Sequence, residues 1–440
     1  MNDNIDLIQT AKNVLDRNYQ GTFTVPNIKL YPHQWFWDSC FISIGVSNYD
    51  LDRAQTEILS LFRGQWQNGM FPHIIFDTNE ERIQQKDIWR SWLNPNSPDG
   101  INTSGITQPP VLAEAIVRIG EKLQLPERKS WYKTVLPSLI KYHEWLYEDR
   151  DPHKEGLVIQ IHPWETGLDN TPPWMAELHR HLMPLWVRII SKTKLTWLIE
   201  KFRRDTKIVP LDQRPSTEEA MGLYSIQRRL RRKSYNIDKI LPHGLFAIED
   251  LTFNCIFIRA NQHLKEIAKL IKYDLSEELI VNMTKTELAL EQLWDPFSNQ
   301  YYSRNFITHE LLKEPSIASL MPLYAGIVNK ERANKIVSTL ENKHLYGPTY
   351  PIPTVPINSP WFYDKCYWQG ATWINTNWLI IDGLKRLGFN NYAGALTEAT
   401  LELVEKSGMH EYFSPINGES AGIDDFSWTA ALTIDLALRK

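Results

Sequence analysis

The stretch from Gln34 to Trp66, QWFWDSCFISIGVSNYDLDRAQTEILSLFRGQW, contains two helical patterns separated by a single residue. Residues 34–49 and 51–66 each repeat apolar side chains at the i, i+3, i+4 spacing of a helix that buries one face. Because the link between them is short, the two helices are expected to form a hairpin. Repetition of such pairs along the chain decides the fold class.

Helical periodicity dominates the rest of the chain, and 157–161 is the best candidate for a strand. The predicted helices cover residues 4–18, 34–49, 51–66, 108–123, 130–149, 173–200, 216–233, 246–271, 275–293, 316–327, 330–341, 372–387, 390–407 and 426–438. Long loops rich in aromatic residues and Pro separate the helix pairs, at 67–107, 150–172, 295–315 and 342–371.

Helix pairs with long loops on one side favour an all-α fold in which six hairpins close into a ring, the (α/α)6 barrel. An open solenoid is the alternative, but the chain shows no fixed sequence period. No Gly/Ser or Pro-rich linker interrupts it, so we expect one domain over residues 1–440 with a lid-like insertion around 188–215. The basic runs 188–206 and 226–233 are either solvated helix faces or part of such a lid.

The composition excludes several classes of function. A net charge of −4 gives no basic field for nucleic acid. The cysteines Cys40, Cys255 and Cys366 are far apart without CxxC spacing, which argues against a disulfide framework or a zinc site and fits a reducing compartment. Without an apolar signal region or a membrane-length apolar run, a cytoplasmic protein is expected, with a small-molecule substrate. A homo-oligomer is expected only because symmetric homo-oligomers are common among soluble proteins.

The stretch Trp164-Glu165-Thr166-Gly167-Leu168-Asp169-Asn170-Thr171-Pro172-Pro173-Trp174 combines two carboxylates with two indoles. Asn170 or Thr171 suits an N-cap and the two prolines suit a first helical turn, so Asp169 is placed in a loop just before a helix. A carboxyl held beside indole rings is a candidate acid with a raised pKa. The alternative is an ordinary loop in which Asp169 caps the helix and the tryptophans are core.

Two further aromatic segments carry candidate carboxylates. In Tyr31-Pro32-His33-Gln34-Trp35-Phe36-Trp37-Asp38-Ser39, Asp38 could bind sugar hydroxyls beside an indole platform or could be an N-cap. Glu411 follows Met409-His410 in a loop before the last helix, where it is either a tunable base or a solvated side chain. Two carboxylates in aromatic loops are what glycoside hydrolysis needs. The chain contains no GxSxG, P-loop, GxGxxG turn or HExxH motif.

An ordered set of motifs over nearly the whole chain resembles glycoside hydrolase family 63, and within it the small bacterial mannosylglycerate and glucosylglycerate hydrolases. The matching segments are Trp35-Phe36-Trp37-Asp38-Ser39, Gly64-Gln65, Asn68-Gly69-Met70, Pro72-His73, Trp164 to Asn170, Arg214-Pro215-Ser216, Tyr367-Trp368-Gln369-Gly370, Glu411-Tyr412-Phe413 and Phe426-Ser427-Trp428-Thr429. Gln369 stands where the family pattern leads us to expect Arg, and Met175 where an acidic residue is frequent.

The resemblance implies an (α/α)6 barrel and hydrolysis with inversion of configuration. It places the general acid at Asp169 and the general base at Glu411, with Glu419 as the rival base, at a carboxylate separation of about 6.5–9.5 Å. No metal or cofactor is needed for this chemistry. The expected substrate-binding residues are Tyr31, Trp35, Trp37, Asp38, Gln108, Trp164, Arg203, Arg204, Tyr363, Tyr367, Trp368, Gln369 and Trp373.

The expected activity is that of an exo-acting hydrolase of a small charged α-glycoside, mannosylglycerate or glucosylglycerate. In the glycerate-glycoside hydrolases that the chain resembles, a segment like Arg203-Arg204 lies by the glycerate group of the substrate. A guanidinium suits that group because it can bind a carboxylate through two hydrogen bonds. The rivals are an α-glucosidase acting on a neutral disaccharide or oligosaccharide, an epimerase or lyase on the same barrel, and a sugar-binding protein without catalysis.

Overall fold

The computed structural model describes residues 3–76, 84–193, 196–243 and 246–439. In chain order the α-helices are α1 (Asp3–Asn18), α2 (Phe36–Val46), α3 (Leu51–Phe62), α4 (Gln84–Trp89), α5 (Leu112–Lys122), α6 (Leu125–Asp149), α7 (Pro172–Glu177), α8 (Leu185–Lys192), α9 (Thr196–Glu200), α10 (Thr217–Arg232), α11 (Ile237–Ile240), α12 (Leu251–Ile271), α13 (Glu277–Ala289), α14 (Pro322–Ala325), α15 (Lys330–Glu341), α16 (Ile374–Arg386), α17 (Asn390–Ser407) and α18 (Ser427–Leu438).

The inner wall is a closed ring of helices, in which α2 packs on α5, α5 on α12, α12 on α14, α14 on α16, α16 on α18 and α18 back on α2. Helices α3, α6, α13 and α17 pack outside α2, α5, α12 and α16, while α1 packs outside α18. Helix α15 contacts the 3-10 helix Ile317–Leu320 that precedes α14. The predicted all-α (α/α)6 barrel is therefore confirmed, and the open solenoid is excluded by the contact between α2 and α18.

Helices α2 and α18 are buried along almost their whole length because each is covered by two ring neighbours and an outer helix. All residues of α2 are buried. Helices α2 and α18 approach so closely that a Cβ added to Gly45 would collide with the Ala431 carbonyl group. The ring therefore closes at a contact between the backbones of two helices.

Among the described residues, strands occur only as short antiparallel pairs in the loops at the helix ends. They are β1 (Gln34–Trp35) with β2 (Ile74–Ile75), β3 (Ile248–Glu249) with β6 (Arg304–Asn305), β4 (Trp294–Asp295) with β5 (Gln300–Tyr301), and β7 (Tyr412–Phe413) with β8 (Ser420–Ala421). The strand predicted at 157–161 is wrong. Gln160 makes only an isolated bridge with Ile248, and the Val158 N–H is taken by the Asn254 side chain.

The continuous helix predicted over 173–200 is also wrong. The chain forms α7, the π-helix Leu178–Leu182, α8 and α9 instead. Pro184 explains the main break, because proline lacks an N–H and forces the preceding residue out of the helical region; Met183 has ψ 118°. The segment 316–327 is likewise split into a 3-10 helix and α14.

The segment 188–215 consists of short helices that leave several large apolar side chains exposed, among them Ile189, Trp197 and Phe202. Its lid-like role, the single-domain division and a homo-oligomer remain predictions. Within the described ranges, no helix has the length and apolar content that crossing a bilayer requires.

Candidate active site

Asp169 lies in the loop between the 3-10 helix Pro163–Thr166 and α7, as predicted. Thr171 is the N-cap of α7 and Pro172 its first residue. Gly167 turns this loop at φ +74°, and a Cβ there would lie 2.6 Å from the Trp37 ring. The loop therefore packs directly against the indole because residue 167 has no side chain.

Desolvation raises the pKa of Asp169 to about 7, although a hydrogen bond from the Tyr367 hydroxyl and the charge of Arg214 oppose the rise. The Tyr367 hydroxyl donates to Asp169 Oδ2 across 3.1 Å. A carboxyl with such a pKa is protonated in an appreciable fraction of molecules at neutral pH and can act as a proton donor.

Glu165, the other carboxylate of the same stretch, has a structural role. It is fully buried and forms a two-pronged pair with Arg150 at 3.0 and 2.8 Å. It also accepts the backbone N–H groups of Thr107 and Ile161. Because its oxygens are engaged by four donors, it fixes the loop that presents Asp169.

Glu411 lies immediately before β7 and is buried. Its Oε1 accepts a hydrogen bond from the Tyr31 hydroxyl at 2.6 Å and lies 3.4 Å from Arg214 Nη1, and its Oε2 accepts the Ile423 N–H at 3.3 Å. Burial raises the pKa of Glu411, and these three partners oppose the rise because they favour the charged form. This carboxylate is thus better equipped than Asp169 to remain ionised.

The rival base Glu419 is in a different environment. Its side chain is 60% exposed and pairs with Lys365 at 2.7 Å, which lowers the pKa of Glu419. An exposed, ion-paired carboxylate is a weak base, so the local chemistry favours Glu411.

Arg214 is a candidate functional residue that sequence reasoning missed. Its guanidinium carbon lies 4.3 Å from the Tyr367 ring centroid and 5.8 Å from that of Tyr31, while Nε lies 3.6 Å from Asp205 Oδ2. Since it also contacts Glu411, it links the surroundings of both candidate carboxylates. The only signal in the sequence was its place in the Arg214-Pro215-Ser216 match.

Asp38 lies within the first turn of α2, and the N-cap of this helix is Trp35, so the alternative role of Asp38 as N-cap is wrong. Burial raises the pKa of Asp38 well above its usual range, and the charges of Glu411 and Asp169 add to the effect. The structure therefore brings these three carboxyl groups into one electrostatic environment.

The predicted aromatic residues occupy two layers. Tyr31, Trp35, Trp164 and Tyr367 are partly exposed. Trp35 meets Tyr31 edge-on at 5.6 Å and His73 at 5.3 Å, and Trp164 stacks on His73 at 6.5 Å. These rings retain surface that a sugar could cover.

The deeper layer holds Trp37, Trp368 and Trp373, all of which are buried. Trp368 and Trp373 stack at 3.7 Å and are each 1% exposed, so they support the outer rings from below. Trp37 contacts Trp368 at 6.2 Å, and its backbone N–H donates to Gln108 Oε1 at 3.3 Å. Gln108 thus holds the first turn of α2 in place.

The remaining predicted residues lie at the edge of this group. Gln369 is buried and donates to Glu219 Oε1 at 3.3 Å. The Tyr363 side chain is 57% exposed. Arg203 binds both oxygens of Asp205, at 3.1 and 2.6 Å, and also donates to the Pro215 carbonyl and to Thr217. These contacts of Arg203 hold the loop in place. The Arg204 side chain is exposed.

A family model and curated relatives match nearly the whole chain. Residues 31–429 match the model of the mannosylglycerate hydrolase MGH1-like glycoside hydrolase domain. The mannosylglycerate hydrolase of Thermus thermophilus is 36% identical, covering 96% of this chain and 99% of the relative. The glucosylglycerate hydrolase of Mycolicibacterium hassiacum is 28% identical, covering 98% and 97%.

A solved structure shares the fold over the full length. The family 63 mannosylglycerate hydrolase of Thermus thermophilus, in complex with Tris and D-glycerate, superposes with a TM-score of 0.87 at 35% identity. The match covers 99% of this chain and 100% of that one.

Proposed function

The chain belongs to the mannosylglycerate hydrolase MGH1-like glycoside hydrolases of family 63, and from this membership we propose that it hydrolyses mannosylglycerate or glucosylglycerate to the free sugar and glycerate. The observation that carries the proposal is the pair of carboxyls, Asp169 and Glu411, held in different hydrogen-bonding environments and linked through Tyr367 and Arg214. Burial raises the pKa of both carboxyls, but Glu411 has Tyr31, Arg214 and the Ile423 N–H to favour its charged form. Carboxyls in such unequal environments suit an acid and a base.

In the proposed mechanism Asp169, as general acid, donates its proton to the glycosidic oxygen while the bond to the anomeric carbon breaks. Glu411, as general base, takes a proton from the water that attacks the opposite face of the anomeric carbon. Hydrolysis of an α-glycoside therefore releases the free sugar as its β-anomer, with the configuration inverted. Glycerate leaves with a free hydroxyl group. Such a mechanism requires the two carboxyls to stand about 6.5–9.5 Å apart.

A charged aglycone is supported by the cations around the pair. Arg214 Nε is buried and makes no hydrogen bond among the described residues, although it lies 3.6 Å from Asp205 Oδ2 in an ion pair. A guanidinium in this position can donate to a carboxylate. Arg204 and Arg203 stay as further candidates, although the contacts of Arg203 with Asp205, Pro215 and Thr217 favour a role in shaping the loop.

Tyr31, Trp35, Trp164 and Tyr367 are proposed to contact the sugar through their partly exposed rings, with Asp38 binding its hydroxyls. Trp37, Trp368 and Trp373 support that wall, and Gln108, Gln369 and Tyr363 complete its surroundings.

The experiment is a comparison of four α-glycosides, mannosylglycerate, glucosylglycerate and their uncharged glycerol analogues, with proton NMR identifying the anomer that is released first. We expect release of the β-anomer and a higher kcat/KM for at least one glycerate glycoside than for its glycerol analogue. Equal kcat/KM for the charged and neutral members of each pair would favour the neutral α-glucosidase. Initial release of the α-anomer would refute inversion, and binding without release would favour a sugar-binding protein.

A further inference from the structure

Two histidines and one glutamate from separate loops come together outside the carboxylate pair. His153 and Glu155 lie in the loop that follows α6, and His309 lies in the turn after β6. One ligand atom from each of the three lies within 4.8 Å of the others. His153 Nδ1 and His309 Nδ1 lie 4.0 Å from the two different oxygens of Glu155.

Backbone conformation and hydrogen bonds order the two loops that carry these side chains. Lys154, between His153 and Glu155, has φ +57°, and His309 has φ +58°, a left-handed conformation that few residues other than Gly adopt. The Glu155 N–H donates to Asp151 Oδ1 at 2.9 Å, and the His309 N–H donates to the Asn305 carbonyl at 2.9 Å. The juxtaposition is therefore built into two ordered turns.

The neighbouring charges leave the negative charge of Glu155 available to a cation. Arg304 Nη2 lies 3.3 Å from Glu155 Oε2, but Arg304 also forms a two-pronged pair with Glu249, which is buried. The Arg304 and Glu249 charges cancel, so the charge of Glu155 remains. A hydrogen bond from a neighbouring donor is the usual way in which a carboxylate ligand is oriented.

We propose that His153, Glu155 and His309 form a site for a divalent transition metal ion of the Zn²⁺ type. Two imidazoles and a carboxylate are ligands that Zn²⁺ prefers, with water in the fourth position. Bonds of about 2.0–2.1 Å in a tetrahedral site separate the ligand atoms by about 3.3–3.4 Å. With one ligand atom from each residue, the three atoms lie within 4.8 Å of one another. They must therefore approach by up to roughly 1.5 Å, which the half-exposed histidine side chains can supply by rotation.

The bound ion would cross-link two loops that are distant in sequence. Residues 151–156 and 305–310 meet at the rim where β3 leads into α12. Because the proposed hydrolysis uses only carboxylates, the ion would act as a structural clamp, and this inference stands independently of the substrate.

Calorimetric titration of the chelator-treated full-length protein with ZnCl2 tests the site, with CoCl2 as a spectroscopic probe of the ligands. We expect one ion per chain, a visible Co²⁺ spectrum of low coordination number, and slower amide exchange in 151–156 when Zn²⁺ is bound. The variants His153→Ala, His309→Ala and Glu155→Gln should each weaken Zn²⁺ binding at least about tenfold. The matched control is His344→Ala, which removes another exposed histidine.

Circular dichroism establishes that each variant is folded before titration. Absence of Zn²⁺ and Co²⁺ binding by the wild-type chain, or binding that is equally tight in His153→Ala and His309→Ala, would overturn the proposal. Turnover of the glycoside is measured separately, so a failure of the metal site and a failure of the proposed hydrolase function give different results.

Discussion

The Tyr367 hydroxyl donates a hydrogen bond to Asp169 Oδ2 across 3.1 Å. This contact favours the charged form of Asp169 and so limits the rise in its pKa that desolvation causes. On the other carboxylate, Tyr31 makes the equivalent contact with Glu411 Oε1 at 2.6 Å. Each member of the proposed acid–base pair therefore has its own phenol, which makes the two pKa values separately testable.

Replacing Tyr367 by Phe should move the basic limb of the kcat/KM profile to higher pH. In the wild type, kcat/KM should fall above the pKa of Asp169, about 7, because the acid must be protonated. Without the hydroxyl, the pKa of Asp169 rises and protonation persists to higher pH. A pH series of kcat/KM measures the shift. A basic limb that stays at the same pH or moves to lower pH would contradict the assignment of Asp169.

Replacing Tyr31 by Phe should instead move the acidic limb of the kcat/KM profile to higher pH. The base must be ionised, and loss of the Tyr31 hydroxyl removes a hydrogen bond that lowers the pKa of Glu411. The same pH series serves as the measurement, and the Tyr367 variant is the matched control. If the two variants shift the same limb, the acid and base roles are not divided between Asp169 and Glu411.

Asp169→Asn should reduce kcat by about 10²–10⁴-fold, the usual contribution of a positioned general acid. The amide is nearly isosteric with the carboxyl and retains an oxygen that can accept from Tyr367, so the fold should survive. Circular dichroism and thermal unfolding check the fold, and initial rates check the activity. Full activity in the folded Asp169→Asn variant would end this assignment.

Glu411→Gln should also lower kcat by about 10²–10⁴-fold, whereas Glu419→Gln should leave it nearly unchanged. Glu411 is buried against Tyr31 and Arg214, while Glu419 is exposed and paired with Lys365. Steady-state kinetics on the same substrate compares the two. The reverse ranking would make Glu419 the base.

Gly45→Ala should lower the free energy of unfolding by about 1–3 kcal/mol, as overpacking does, because its Cβ would collide with the Ala431 carbonyl where α2 closes on α18. Gly394→Ala in α17 is the matched control. A Cβ there meets nothing within 4 Å, and Ala is favoured over Gly inside a helix by about 0.5–1 kcal/mol. Urea denaturation measures both; equal stability of the two variants would show that the ring does not close at Gly45.

The fold was largely predictable because helical periodicity is a local property. Helix α17 has the bounds that the periodicity predicted, 390–407, and most other helices differ from their predicted bounds by a few residues at each end. The exceptions have local causes that outweigh the pattern, such as Pro184 in the segment predicted as one helix over 173–200.

The sequence by itself determined the helix pairs, the aromatic loops and the candidate carboxylates Asp169 and Glu411, since periodicity and motif order can be read along the chain. Only the tertiary structure decided that Arg214 lies beside Glu411, 197 positions away, and that Tyr367 reaches Asp169 across 198 positions. It also separated Glu165, held by Arg150, from Asp169. These distinctions depend on burial and on contacts between distant segments, which set the pKa of a carboxyl and arise only when the chain has packed.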